Sequence, residues 1–80
     1  MDPITTRLVA CFQTVFPALS EGQARQASPA SVAAWDSVAA ITLVNVLEEE
    51  FGIEIDFELL PELTSFDRFE QYLRKETTRA

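Results

Sequence analysis

Hydrophobic residues recur at three- and four-residue steps in three stretches of the chain, which is the spacing of helices that pack one face against a core. In the first stretch this face comprises Ile4, Leu8, Cys11, Phe12, Val15 and Leu19. Asp2 is placed to cap the helix and Pro3 suits its first turn, whereas Pro17 ends the pattern. The spacing predicts a helix from residue 4 to about residue 16.

The second stretch begins at Asp36 and Ser37 and continues to Phe51, and Gly52 follows as a C-terminal stop. One arc of about a third of the helix circumference carries Ala40, Leu43, Val44, Leu47 and Phe51. An arc of this width is typical of a helix that faces a core. This stretch therefore predicts a second helix over residues 36–51.

A different side of the second predicted helix carries Val38 and Ile41 next to Ser37, and Asn45 and Glu48 continue it further along. Two interpretations of the apolar pair are open. The side chains are exposed and available to a partner, or they pack beneath the preceding loop, since isolated apolar residues on a surface need no special explanation.

The last third of the chain predicts a loop, a short helical turn and a final helix. Residues 53–57 alternate apolar and acidic types, but a single short strand would have no partner, so we interpret them as a loop. A helical turn over residues 57–60 ends at Pro61. The run from Thr64 to Asp67 resembles a capping box for a helix that extends to about residue 75. The buried face of that helix is predicted to comprise Phe66, Phe69, Tyr72 and Leu73.

Residues 17–35 are small and polar without a sustained period, which predicts a long loop with room for a helical turn near residues 21–26. Structureless connections longer than about 12–15 residues are uncommon in compact domains and usually have a functional reason. The predicted fold class is all-α: a small four-helix bundle of three main helices and a short third helix, with a long loop between the first two. Residues 1–80 form one domain in this interpretation, and we expect a monomer.

Composition narrows the class of protein. Hydrophobic residues make up 48% of the 80 positions, which suits one small globular core. Cys11 is the only cysteine, so an intramolecular disulfide is excluded. The first residues are acidic where a signal peptide needs positive charge, and no apolar run approaches the ~20 residues that span a bilayer. We therefore expect a cytoplasmic protein without membrane insertion.

Charge narrows the range of partners. Thirteen acidic residues against six basic ones give a net charge of −7, which disfavours nucleic acid and anionic lipid and favours proteins with basic docking patches. The chain has no histidine, and neither Ser37 nor Cys11 is accompanied by a recognisable base or a glycine-rich phosphate loop. Activity as an enzyme in its own right is therefore not predicted.

The chemistry of the chain centres on Ser37. A helix start offers free amides and the positive end of the helix dipole, so a phosphodiester on this hydroxyl would meet a favourable potential. Asp36 followed by Ser37 is also an ordinary capping sequence, and these two residues alone favour a plain helix cap.

The run from Trp35 to Ile55 resembles the acyl carrier proteins, in which an Asp-Ser-Leu-like site opens the second helix. Its closing segment, Leu-Glu-Glu-Glu-Phe-Gly-Ile-Glu-Ile, is especially similar. The resemblance implies that Ser37 carries a covalent 4'-phosphopantetheine, with Asp36 as the preceding acid of the attachment motif. It also implies that the chain performs no chemistry itself and presents acyl thioesters to other enzymes.

The partners that the resemblance implies are a phosphopantetheinyl transferase and acyl-loading, synthase or transferase enzymes with basic docking patches. The residues expected to dock these enzymes are Val38, Ile41, Asn45, Glu48 and Glu49. Ala39 and Thr42 stand where housekeeping fatty-acid carriers have acids, and Val38 replaces their leucine. These departures suggest a specialised lipid, polyketide or other secondary-metabolite pathway. Ala33-Ala34 replace the glycine-rich element of peptidyl carriers, which disfavours that branch.

Three alternatives accompany this hypothesis. The chain could be an unmodified helical module that docks through its second helix, with Ser37 serving only as a cap. Trp35 could contact a partner, although a core anchor is favoured because a buried aromatic ring removes a large area from water. The acidic cluster at the end of the second helix could attract a hard cation, but a solvated acidic face is favoured and no metal site is predicted. The cluster comprises Glu48, Glu49, Glu50, Glu54 and Asp56.

Overall fold

The computed structural model describes residues 3–77, and within this range all regular structure is helical. The elements are α1 (Pro3–Val15), α2 (Glu21–Arg25), α3 (Ser37–Phe51), a 3-10 turn (Phe57–Leu59) and α4 (Phe66–Thr77). The predicted all-α class is confirmed, with α1, α3 and α4 as the three main helices and the 3-10 turn as the short one. The cap predicted at Asp2 lies outside the described residues.

Aromatic rings fill the centre of the bundle, where α1 contacts each of the other three helices. The ring of Phe12 is fully buried and lies within 5.1–5.8 Å, centroid to centroid, of Trp35, Phe66 and Phe69. All three neighbours meet it edge-on, the arrangement that aromatic quadrupoles favour. Phe12 therefore joins α1 to α4 and to the loop that precedes α3.

The apolar face predicted for the second helix is the buried face of α3. Leu43, Val44 and Leu47 are completely buried, and Ala40 and Phe51 are partly buried at its two ends. Gly52 ends the helix with a φ of 64°, a left-handed conformation that glycine adopts without the steric cost of a Cβ. The stop predicted at this glycine is confirmed.

The loop between α1 and α3 is more ordered than its sequence suggests. Its short helix α2 begins with a reciprocal capping box, in which the Ser20 hydroxyl accepts from the Gln23 amide and the Gln23 side chain accepts from the Ser20 amide. Further along, the Ala27 carbonyl accepts a hydrogen bond from the Phe66 amide at 2.9 Å, which ties the loop to the start of α4. The helical turn anticipated near residues 21–26 is confirmed as α2.

The cap of α4 differs from the predicted one. The Ser65 hydroxyl, not that of Thr64, accepts from the amide of Arg68 at 3.2 Å. The residue that would complete a reciprocal box is then Arg68, which has no carboxylate or amide oxygen to return the bond. Phe66 and Phe69, in the first turn after this cap, are both buried in the core.

Polar contacts join α1 to the ends of α3 and α4. The Arg7 guanidinium forms an ion pair with the Glu50 carboxylate at 2.8 Å, donates to the Glu50 carbonyl, and lies 4.4 Å from the centre of the Phe51 ring. It therefore satisfies a carbonyl that the end of α3 would otherwise leave without an intrahelical donor. On the opposite side of α1, the buried Thr5 hydroxyl donates to Glu70 of α4 at 2.5 Å.

Candidate functional site

Ser37 is the first residue of α3, and its side chain is exposed. Asp36 is the N-cap: its Oδ1 atom accepts from the Ala39 amide at 2.8 Å, and its carbonyl accepts from the Ala40 amide. The amides of Ser37 and Val38 lie in the first turn, where an α-helix offers no acceptor one turn back. A group attached to the Ser37 hydroxyl would therefore begin at the positive end of the helix dipole.

Replacing Asp36 tests whether this residue, and not Ser37, is the N-cap of α3. We expect Asp36→Ala to lower the free energy of unfolding by about 1 kcal/mol, because the Ala39 amide loses its acceptor. Urea denaturation followed by circular dichroism measures the change. Glu54→Ala is the matched control, since Glu54 is an exposed acid in the loop after α3, and we expect a change within about 0.5 kcal/mol. Equal losses in the two variants would contradict the capping role.

The structure decides between the two interpretations of the apolar residues beside Ser37. The side chain of Val38 is 71% exposed and that of Ile41 is 42% exposed. Neither is packed beneath the loop that precedes α3. They form an apolar surface beside Ser37 at the start of the helix, and we call Val38 and Ile41 the apolar rim.

The polar residues expected on the docking side do not all behave alike. Asn45 and Glu49 are exposed, whereas Glu48 is half-buried and its Oε2 atom accepts from the Ile55 amide at 2.8 Å. Glu48 therefore holds the loop after α3 in place and offers less of its charge to a partner than Glu49 does. Glu49 and Glu54 are exposed at this end of the helix, and we call these two residues the acidic end.

A groove of about 450 Å³ opens directly beside Ser37. Its lining is apolar apart from Asp36, Ser37 and Thr64, and the apolar lining comprises Pro29, Trp35, Ala40, Ile41, Leu60, Pro61 and Leu63. Leu60, Pro61 and Leu63 were not among the predicted site residues. The turn ended by Pro61 was visible in the sequence, but its position against α3 depends on the tertiary path of the chain.

Trp35 is a core anchor, which confirms the favoured of its two interpretations. Its side chain is 7% exposed and its indole lies against the rings of Phe12, Phe16 and Phe69. Its amide donates to the Val32 carbonyl at 3.0 Å. Because Asp36 and Ser37 follow directly, this anchor fixes the point at which the chain enters α3.

The Cys11 thiol, the other candidate nucleophile considered, has low reactivity. Burial raises the pKa of the Cys11 thiol to about 11, and the nearby Glu50 carboxylate adds to the increase. At neutral pH the thiol is therefore protonated and a poor nucleophile.

Residues 3–77 contain no cluster of histidine, cysteine, aspartate and glutamate side chains arranged to hold a metal ion. None of the helices in this range is long and apolar enough to cross a membrane.

Comparison with known proteins gives one family. A family model described as a phosphopantetheine attachment site matches residues 33–73, which is just over half of the 80 residues. The matched segment includes the end of the loop, all of α3, the 3-10 turn and most of α4. Neither the curated proteins nor the solved structures provide a significant match.

Proposed function

The chain belongs to the phosphopantetheine attachment-site family, and we propose that Ser37 is the serine that carries its 4'-phosphopantetheine. The family is defined by this group bound covalently to a serine. Residues 33–73 contain two serines, Ser37 and Ser65. The Ser65 hydroxyl is half-buried and caps α4, whereas the Ser37 hydroxyl is exposed at the start of α3. This difference carries the assignment.

The surroundings of Ser37 suit the group chemically. The first-turn amides of α3 and the helix dipole favour a phosphodiester anion, and the Asp36 carboxylate is engaged with the Ala39 amide. The terminal thiol of the bound group would hold an acyl chain as a thioester. This chain's own residues supply the attachment hydroxyl, the capped helix start and the apolar rim. Transfer from coenzyme A falls to a separate phosphopantetheinyl transferase.

We propose that partner enzymes contact two separate surfaces of α3. The apolar rim would enter a shallow apolar pocket, and the acidic end would face a basic patch. Between them, Ala39, Thr42 and Asn45 add no charge. With a rise of about 1.5 Å per residue, Glu49 lies roughly 18 Å along the helix from Ser37. A fitting partner would have its basic patch well removed from the mouth of its active site.

This surface supports a role in a specialised lipid or secondary-metabolite pathway. Enzymes that rely on acidic residues in the helix just after the attachment serine would find the neutral side chains of Ala39 and Thr42 there. We propose a cytoplasmic, monomeric carrier, formed by the single domain 1–80, that presents acyl groups to such enzymes. The exposure of Val38 and Ile41 also suits the second candidate, an unmodified module that docks through α3.

Mass spectrometry separates the two functions. The purified chain is incubated with coenzyme A, Mg²⁺ and a broad-range phosphopantetheinyl transferase. A carrier gains one phosphopantetheine per chain, and fragmentation places the added mass on the peptide that contains Ser37. The Oγ–phosphorus bond forms as the diphosphate of coenzyme A is cleaved, with loss of adenosine 3',5'-bisphosphate and the hydroxyl proton. An unchanged mass with several transferases active on a control carrier would favour the unmodified module.

The two parts of the docking surface are expected to respond differently to salt. Glu49→Lys should lower the kcat/KM of the transferase at low ionic strength, and the loss should fade as salt screens the charges. Val38→Ser should lower it about tenfold, or ~1.4 kcal/mol, at every salt concentration, because the lost contact is apolar. Steady-state kinetics across a salt series measures both effects. Glu21→Lys on α2 is the control for net charge, and an equal effect from that variant would show that docking does not use α3.

A further inference from the structure

Three backbone amides after the end of α3 bind to one residue, Glu48. Its carbonyl accepts from the amides of Gly52 at 2.9 Å and Ile53 at 3.3 Å, and its Oε2 atom accepts from the Ile55 amide at 2.8 Å. The two bonds to the carbonyl are of the kind that commonly ends a helix, whereas the bond to the carboxylate is an additional contact made by the side chain. Glu48 therefore fixes the path of the chain from the end of α3 to Ile55.

The 3-10 turn follows directly after this contact. Ile55 is buried, and Asp56 is the N-cap of the turn, with its Oδ1 atom accepting from the Glu58 amide at 2.9 Å. The first residue of the turn, Phe57, is 53% exposed and stands between the exposed acids Asp56 and Glu58. Phe57 is two positions after the amide that Glu48 holds, so this bond helps to fix the position of the ring.

The path of the segment places Phe57 alongside the middle of α3. Residues 53–56 line a shallow depression together with Glu49, near the end of that helix. Residues 60–61 line the groove beside Ser37, at the start of the same helix. The chain therefore runs back along α3, and Phe57 lies between the two contacts. This is the level of the neutral stretch between the apolar rim and the acidic end.

An exposed ring between two acids is complementary to a partner pocket with an apolar floor and a basic edge. Charge disfavours an anionic lipid surface as the occupant, and also a second copy of this chain, which has the same net charge of −7. We infer that Glu48 is a positioning residue for docking: its carboxylate fixes the turn that presents Phe57 to the phosphopantetheinyl transferase, and its charge is not part of the contact. The inference rests on the proposed attachment at Ser37, which requires that enzyme to dock.

Two substitutions of Glu48 separate position from charge. Glu48→Gln and Glu48→Ala both remove one negative charge, but the glutamine side-chain oxygen still accepts from the Ile55 amide. We expect this amide to exchange its hydrogen about tenfold faster in Glu48→Ala and at the wild-type rate in Glu48→Gln, as measured by NMR. The kcat/KM of a broad-range transferase should fall about fivefold in Glu48→Ala at every salt concentration and stay near the wild-type value in Glu48→Gln.

Glu49 provides the matched control on the same helix, because its side chain is exposed. Glu49→Gln and Glu49→Ala should lower kcat/KM equally at low ionic strength, and salt should remove both losses. Circular dichroism verifies the fold of each variant. If Glu48→Ala does not fold, the comparison of Glu48→Gln with Glu49→Gln at low salt still decides, since only the second is expected to lose activity.

A double-variant cycle tests whether Glu48 acts through Phe57. Phe57→Ala should lower kcat/KM about fivefold through a higher KM, with kcat unchanged, because the lost contact serves binding. In a chain that already carries Phe57→Ala, the further change Glu48→Ala should cost little. Two residues that act through one contact have losses that do not add.

Four results would overturn the inference. Equal losses in Glu48→Gln and Glu48→Ala that fade with salt would show that the charge itself docks. An Ile55 amide that stays protected in Glu48→Ala would show that the carboxylate does not hold the turn. Full activity of Phe57→Ala, or additive losses in the double variant, would exclude Phe57 as the contact through which Glu48 acts. A wild-type chain that gains no phosphopantetheine refutes the proposed function itself and is thereby distinguished from these results.

Discussion

Ser37→Ala is expected to abolish phosphopantetheine attachment completely while the fold persists. The substitution removes the only exposed hydroxyl at the start of α3, whereas the cap of that helix belongs to Asp36 and stays in place. Alanine is also a good helix residue at this position. We therefore expect the free energy of unfolding to change by no more than about 0.5 kcal/mol. Mass spectrometry after incubation with coenzyme A and a transferase measures the loss, and urea denaturation measures the stability.

Ser65→Ala is the matched control for this experiment. Ser65 also lies at a helix start and within the segment that matches the family, but its hydroxyl accepts the Arg68 amide. Its replacement should cost about 1 kcal/mol of stability and leave attachment intact. The two variants therefore have opposite phenotypes: one loses modification and keeps stability, and the other does the reverse. Modification that survives in Ser37→Ala and disappears in Ser65→Ala would move the site to α4.

Phe12→Ala is expected to have the largest effect on stability. Phe12 is fully buried and edge-on to three other rings, so its removal leaves a cavity where α1, α4 and the loop meet. Such substitutions cost about 3–5 kcal/mol. A domain of this size has only roughly 4–12 kcal/mol in total, at about 0.05–0.15 kcal/mol per residue. We expect a much lower midpoint in urea, measured by Trp35 fluorescence and by circular dichroism.

Phe57→Ala provides the control for ring size. Phe57 begins the 3-10 turn and is 53% exposed, so truncating it removes little buried surface. We expect a change of less than about 1 kcal/mol. A loss for Phe57→Ala as large as that for Phe12→Ala would mean that the aromatic cluster around Phe12 is not the centre of stability.

Local periodicity was enough to predict the main helices and the start of α3. Leu43, Val44 and Leu47 have the spacing of a buried face. Gly52 indicates the end of the helix, because glycine readily adopts the left-handed conformation of a helix C-terminus. The position of Ser37 at a helix start follows from the same pattern. The attachment role came from resemblance, because an aspartate followed by a serine is equally an ordinary cap.

Features that depend on two distant parts of the chain were not predictable in this way. The groove beside Ser37 needs Leu60 and Pro61 to return against α3, and no local pattern encodes that approach. The bond between Arg7 and Glu50 joins residues separated by 43 positions. Glu48 looks like one more exposed acid in the sequence, but the structure turns it toward the Ile55 amide.

The cap of α4 shows a different limit. Thr64 and Ser65 are adjacent hydroxyl residues, and either can accept an amide of a first helical turn. Their side chains alone do not distinguish them. In the structure Ser65 is the cap, and Phe66 and Phe69 of the turn that follows pack against Phe12 on another helix. The local sequence therefore left two equivalent helix starts.

The hydrogen bond from the Phe66 amide to the Ala27 carbonyl has a consequence for synthesis in the cell. The loop that leads to Ser37 is held by α4, both through this bond and through the contact of Trp35 with Phe69. α4 follows the loop and α3 in the chain, so a nascent chain that has not yet reached residue 66 lacks the support that orders the approach to Ser37. We therefore expect modification of Ser37 to require that α4 has already folded against the loop.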